Sequence, residues 1–186
     1  MATVFSHALT AIVMGKIFSF QKKEVFFWII AIYCSILPDA DIIGFAFGIK
    51  YGDVFGHRGF FHSLVFAFIV GILVVWVGWR SSSLSVSDRL KMVAFLFLVT
   101  SSHGVLDAMT DGGFGVAFFS PIDTTRYFLP WRPLKVSPIG AGEFFTSEGA
   151  QVMMSEFTHL WIPMIGILCL WAFFKRTSNP KSEVDI

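Results

Sequence analysis

The feature that most constrains this chain is a set of apolar segments at roughly 2–18, 24–38, 60–79, 92–108 and 158–174, most of them with histidine or aspartate at one end. Hydrophobic residues make up 55% of the 186 positions and the mean hydropathy is +0.70, well above the soluble range. The segments therefore read as membrane helices. A helix rises about 1.5 Å per residue and needs about 20 residues to cross the hydrocarbon core. Only 60–79 meets that length comfortably. The 2–18 segment, with Ser6, His7, Thr10 and Gly15, is expected to be amphipathic or partly inserted, and 24–38 to span with help from its flanks. The fold class expected is all-α: a polytopic integral membrane helical bundle with about four to five membrane-embedded helices and a long outward-facing loop. It forms one domain over 1–186, with 175–186 as a cytoplasmic tail.

Charge and cysteine content exclude other classes. The net charge is +1 and the 14 basic residues are dispersed, so nucleic acid is not an expected partner. Cys34 and Cys169 lie far apart inside apolar runs, which argues against a disulfide or a thiolate metal site and for packing roles. The first segment has no basic stretch before it and meets its first lysine at Lys16, so it is expected to be retained rather than cleaved.

Orientation follows from the basic residues. Lys16, Lys22 and Lys23 separate the first two segments, Arg80, Arg89 and Lys91 the third and fourth, and Lys175, Arg176 and Lys181 follow the fifth. The positive-inside rule makes these connections cytoplasmic, although Lys50, Arg58, Arg126, Arg132 and Lys135 remain on the other side. His7 opens the first segment, Asp39 and Asp41 close the second, His57 and His62 open the third, and His103 and Asp107 close the fourth. Every one of these ends points outward. Ionisable groups are costly at membrane depth, so their convergence reads as a site.

The spacings indicate what the site could hold. His103 and Asp107, four apart, share one helical face, where they either grip an ion or pair with each other. In the run Gly56-His57-Arg58-Gly59-Phe60-Phe61-His62-Ser63, two imidazoles five apart diverge on a continuous helix, so the glycines suggest His57 on a turn and His62 in the first helical turn. Arg58 suits phosphate or carboxylate as a two-donor fork, or serves as an interfacial anchor. Pro38 breaks the second segment before Asp39 and Asp41, which serve as ligands or as helix caps. Together these donors suit zinc, with manganese or iron as alternatives, and seven of them are enough for two ions. Glu156 and His159 have a spacing used for metals in bundles, or act as a capping acid and an interfacial histidine. The glycine-, proline- and aromatic-rich stretch at 112–142 can lie among headgroups and cover the site.

The blocks LPDADI at 37–42, GHRGFFHS at 56–63 and SHGVLDAMTDGG at 102–113, with the early His7, resemble the bacterial inner-membrane YdjM family of LexA-regulated, membrane-bound, metal-dependent hydrolases. The resemblance covers roughly 1–135. It implies polar motif positions at His7, Asp39, Asp41, His57, Arg58, His62, Ser63, His103, Asp107 and Thr110, with Ser63 and Thr110 supporting the ligands. Phe61 and Ile42 depart from the family's more polar pattern.

The function expected is a metal-dependent hydrolase of the bacterial inner membrane, facing the periplasm or exterior, that cleaves an ester or phosphoester of a lipid or lipid-linked substrate. His7, Asp39, Asp41, His57, His62, His103 and Asp107 would hold the metal. Arg58 would neutralise developing phosphate charge, and Asp39, if not committed to metal, would act as base. The competing class is a metal-ion transporter or sensor built on the same cluster. A transport path needs polar groups through the whole bilayer depth, and the inner halves of the segments are almost wholly apolar. A structural or assembly role is the third reading.

Overall fold

The computed structural model describes residues 1–18, 24–138 and 141–178. Lys22, Lys23 and Lys181, and the tail from 179 on, lie outside the described residues. In chain order the helices are α1 (Val4–Ile17), α2 (Val25–Ile36), α3 (Leu64–Gly78), α4 (Val86–Ala108), α5 (Ala141–Phe144), α6 (Ser147–Glu156) and α7 (Ile162–Ser178). A 3-10 helix, Leu37–Phe47, continues α2, a short one, Phe60–His62, precedes α3, and a π-helical turn, Phe157–Trp161, joins α6 to α7.

Three helical stretches among the described residues are long and apolar enough to cross a membrane: Val25–Phe47, Val86–Ala108 and Ser147–Thr177. This corrects the expected four to five. The 60–79 segment, which had looked long enough alone, gives only a 15-residue α-helix. Its outer end is spent on the 3-10 turn, and the Ser63 hydroxyl starts the helix by accepting from Phe66 N at 3.1 Å. The 24–38 segment is longer than expected. Pro38 lacks an N–H, yet near the start of a 3-10 helix that donor is not needed, so the chain tightens instead of breaking and runs helically to Phe47. Helix α4 also starts early. The Ser85 hydroxyl accepts from Asp88 N and donates to the Asp88 carboxylate, a reciprocal cap that fixes the first turn.

Helices α1 to α4 pack around Ala11, Phe27, Ala31, Cys34, Phe95 and Leu96. The rings of Phe27 and Phe95 stack at 5.1 Å. Small residues set the spacing where it matters for the site: a Cβ on Gly104 would stand 3.0 Å from the His62 carbonyl, so the turn before α3 sits directly against α4. The long Ser147–Thr177 stretch is different, with only 6% of its most apolar part buried. It is held to α1 by polar contacts, among them Trp161 Nε1 donating to Ser6 Oγ at 2.8 Å. Cys34 is in the core, but Cys169, expected to pack, is exposed on α7.

The 48–59 and 109–138 segments cross the end of the bundle where α2 and α4 finish and α1 and α3 begin. Backbone bonds pin them in place: Ala117 N to Arg58 O, Leu64 N to Phe118 O and Leu129 N to Ala108 O, each 2.9 Å. Arg126 adds a clamp, donating to the carbonyls of His57 at 2.8 Å and Tyr51 at 3.0 Å.

Candidate metal centre

Local chain chemistry delivers each side chain of the centre. The 3-10 winding after Pro38 buries both Asp39 and Asp41 on the inner side of the chain. The His57 turn depends on Gly56, where a Cβ would lie 2.1 Å from the Lys50 carbonyl. Arg58 follows with φ of 62°, a left-handed conformation that a non-glycine residue adopts only when its surroundings hold it there. Its N–H faces Asp41 Oδ2 at 3.2 Å, its carbonyl accepts from Ala117, and its guanidinium is buried.

His7, Asp39, Asp41, His57, Arg58, His62, His103 and Asp107 are all brought together and all buried. Two overlapping sets of donor atoms lie within 4.8 Å of one another: Asp39, His62, His103 and Asp107, and Asp41, His57 and His62. His62 is common to both. His103 shows the logic most clearly. Its Nδ1 lies 2.7 Å from the Ser35 carbonyl, which can only accept, so Nδ1 carries the hydrogen and Nε2 is turned toward Asp39 Oδ1 at 3.2 Å. His62 Nε2 is 3.6 Å from both Asp39 Oδ1 and Asp107 Oδ2. Its Nδ1 is 3.1 Å from Asp41 Oδ2 without the alignment of a hydrogen bond.

Alignment fails repeatedly here. Asp39 Oδ2, Asp107 Oδ2 and both ring nitrogens of His62 and His7 are buried without a hydrogen-bond partner. Unpartnered polar atoms are expensive when buried, and three carboxylates here face one guanidinium and the N-terminal amine. A divalent cation among them would satisfy the oxygens and nitrogens and offset the excess negative charge. The donor set therefore fits a metal.

His7 stands at the margin. Its ring stacks on that of His103, with centroids 3.7 Å apart and planes within 11°, and its Nε2 is 3.7 Å from Asp107 Oδ1. It belongs to neither donor set. Asp41 binds His57 Nδ1 at 2.8 Å. Asp107 accepts from Ala2 N at 2.7 Å through Oδ1 and pairs with Arg58 Nε at 3.1 Å through Oδ2.

Arg58, read as a fork for phosphate or carboxylate or as an interfacial anchor, has its buried guanidinium on the Asp107 carboxylate. Besides Asp107, its guanidinium donates to the Gly112 carbonyl at 2.9 Å and to Thr110 Oγ1 at 3.0 Å, and the Thr110 hydroxyl donates in turn to the Asp107 carbonyl at 2.7 Å. Ser63 caps α3. Glu156 and His159 do not share a centre. Glu156 is buried and accepts from Thr3 N at 2.6 Å, Thr3 Oγ1 at 2.5 Å and Ser6 Oγ at 2.6 Å, so it caps α1, while exposed His159 bonds the Ser155 carbonyl of its own helix. Sequence reasoning missed Ser35, Ala2 and Arg126, because the first two act through backbone groups and the third through carbonyls far away in sequence.

Partial burial works against Asp111, but the Lys135 ammonium 2.9 Å away and the Val136 N–H outweigh it and hold its carboxyl below the usual range.

A model of the family described as "YdjM inner membrane protein" matches residues 1–179. The chain is 38% identical over 174 residues to the "Inner membrane protein YbcI" of Escherichia coli (strain K12), covering 92% of this chain and 98% of that protein. No solved structure matches the chain.

Proposed function

The chain belongs to the YdjM family of inner membrane proteins, and from that premise we propose that it is a metal-dependent membrane hydrolase acting on an ester or phosphoester of a lipid or lipid-linked molecule. The observation that carries the reading is the buried set of carboxylate oxygens and imidazole nitrogens at Asp39, His62, His103 and Asp107, several of them unpartnered. Two imidazoles and two carboxylates suit zinc, with manganese and iron as alternatives. A divalent ion held there supplies Lewis acidity and a water acidified to near neutrality.

The remaining residues support those four. Asp41 takes the His57 ring hydrogen and the Arg58 N–H, and lies beside His62, so it orients both imidazoles. A second ion at Asp41, His57 and His62 would require His62 to serve both, which favours one ion with Asp41 as the orienting acceptor. Arg58 fixes Asp107 from behind. His7, whose ring nitrogens have no hydrogen-bond partner, stacks on His103 and walls the centre on that side. Asp39, whose side chain is 9% exposed while the other cluster side chains are at 0–1%, is nearest to an approaching substrate.

Both donor sets lie at one end of the bundle, which supports a one-sided site over a translocation path. By the positive-inside rule that end faces the periplasm or exterior. The test is a turnover screen of the zinc-loaded protein against phospholipids, lipid-linked pyrophosphates and neutral lipid esters, with Asp39→Ala and His103→Ala as controls. Hydrolysis lost in both variants is expected. Tight metal binding with every substrate left intact would overturn the enzyme reading in favour of a metal sensor.

A further inference from the structure

We infer that the centre lies beneath the headgroup layer of its leaflet, just inside the hydrocarbon core, and that its substrate is a bilayer-resident lipid entering from the side. This rests on the metal-centre reading above. The argument uses the helices as rulers. Basic residues mark the far edge of the membrane on each of them, and a helix's length is the greatest height it can reach above that edge, since tilt only lowers it.

On α4, exposed Lys91 and buried Asp107 are sixteen residues apart, which at about 1.5 Å per residue is about 24 Å. Helix α3 has 15 residues between exposed Arg80 and His62, about 22 Å by the same rise. The two rulers agree. The hydrocarbon core is about 30 Å thick. The centre is therefore at least about 6 Å below the outer edge of that core in an unthinned bilayer.

The layer above it is filled by protein. The pinned 48–59 and 109–138 segments cross the bundle end and hold Phe114, Ile122 and Trp131 outward, with Ile122 90% exposed, and the end of the 3-10 helix adds Phe47, 80% exposed. Trp131 lies against His159 at 6.2 Å, and His159 is sixteen residues before Lys175, again about 24 Å above the basic edge. Apolar side chains fixed outward at that height are in the depth range where aromatic residues anchor in lipid. A water-soluble substrate would have to pass this cover. A lipid already in the leaflet would meet the centre from the Asp39 side, where the next 3-10 turn carries Ile43, 61% exposed.

The experiment uses the full chain in phosphatidylcholine nanodiscs with Cys169→Ala, leaving only the buried Cys34. A bimane probe is placed at Val105→Cys, on the exposed face of α4 two residues from Asp107, and at Asp53→Cys as an exposed reference. Lipid brominated near the ester end of its chains should quench the Val105 probe several-fold more than aqueous iodide does, with the order reversed at Asp53. Iodide quenching both probes alike, with bromolipid without effect at Val105, would overturn the inference. This arm needs no metal, so its failure is separable from failure of the metal-hydrolase reading. In a second arm the zinc-loaded protein receives dioleoylphosphatidylglycerol in the disc and p-nitrophenyl phosphate in water. Hydrolysis of the soluble ester with the lipid untouched would refute the sideways substrate while leaving the hydrolase reading in place.

Discussion

Replacing Arg58 separates a residue that holds the centre from one that touches substrate. In the structure its guanidinium makes three polar contacts, to Asp107, Gly112 and Thr110, from a left-handed backbone and without exposure to solvent. Arg58→Met takes the guanidinium away from buried Asp107 and leaves it the Ala2 N–H, and removing one partner of a buried pair costs about 3–5 kcal/mol. Arg58→Lys keeps the charge but cannot reproduce the fork. It loses the contacts to Gly112 and Thr110 at about 1.5–3 kcal/mol each for charged donors, less whatever the ammonium recovers. Freed from Arg58, Asp107 is also less well aimed, and loss of a ligand's supporting contact lowers metal affinity by about 10–100-fold. The assay is zinc affinity by competition with a fluorescent chelator, with unfolding in detergent followed in parallel. Both should fall for Arg58→Lys and further for Arg58→Met. Wild-type affinity and stability in Arg58→Lys, with only turnover lost, would refute this account and return Arg58 to the substrate.

Other outcomes follow from the same contacts. His103→Ala and Asp107→Asn should lose bound metal yet still insert, since insertion depends on apolar length and flanking charge, whereas exposed His159→Ala should keep wild-type metal content; elemental analysis of membrane-extracted protein decides both. Glu156→Ala removes the acceptor for three donors at the start of α1 and should loosen the contact between α1 and the end of α6 by about 3 kcal/mol, given about 1.5–3 for each bond to a charged group and incomplete additivity; faster proteolysis near residue 156 is the readout. Because the folded Asp111 carboxyl titrates below its unfolded value, its small stabilisation is present above about pH 4 and lost as pH falls through the folded pKa; a surface pair of this kind contributes under about 1 kcal/mol, so Lys135→Ala should barely change the midpoint of unfolding at neutral pH. A reporter fused after Lys181 should be cytoplasmic, and Asp53→Cys should react with an impermeant thiol reagent in intact cells; the opposite labelling would move the centre to the cytoplasmic face.

The gathering of the centre was legible from sequence because polar residues at apolar segment ends have few places to go. Basic residues at alternate connections place His7, Asp39, Asp41, His57, His62, His103 and Asp107 at one end. What periodicity could not deliver was helix length. Pro38 reads as a stop, yet a 3-10 helix absorbs it, so α2 reaches Phe47 while α3 shrinks to 15 residues behind the Ser63 cap. Nor could the direction of Arg58 be read. The GHRG run suggests a turn, but only the carbonyl of Gly112 and the hydroxyl of Thr110, more than fifty residues away, turn its guanidinium inward. Contacts made by backbone atoms, such as Ala2 N on Asp107 and the Ser35 carbonyl on His103, carry no side-chain signature. Glu156 was noticed for its spacing to His159, but it acts on Thr3 and Ser6, because the π-helical turn after it separates the two side chains.

The claim at the centre of this account is that Asp39, His62, His103 and Asp107 form one metal site. Elemental analysis of protein purified in mild detergent without chelators, comparing wild type with His103→Ala and His62→Ala, tests it most directly. The account predicts about one zinc or other first-row divalent ion per wild-type chain, and almost none in either variant. Metal-free wild-type protein that stays so after incubation with zinc, manganese or iron, or variants that hold metal as the wild type does, would contradict it.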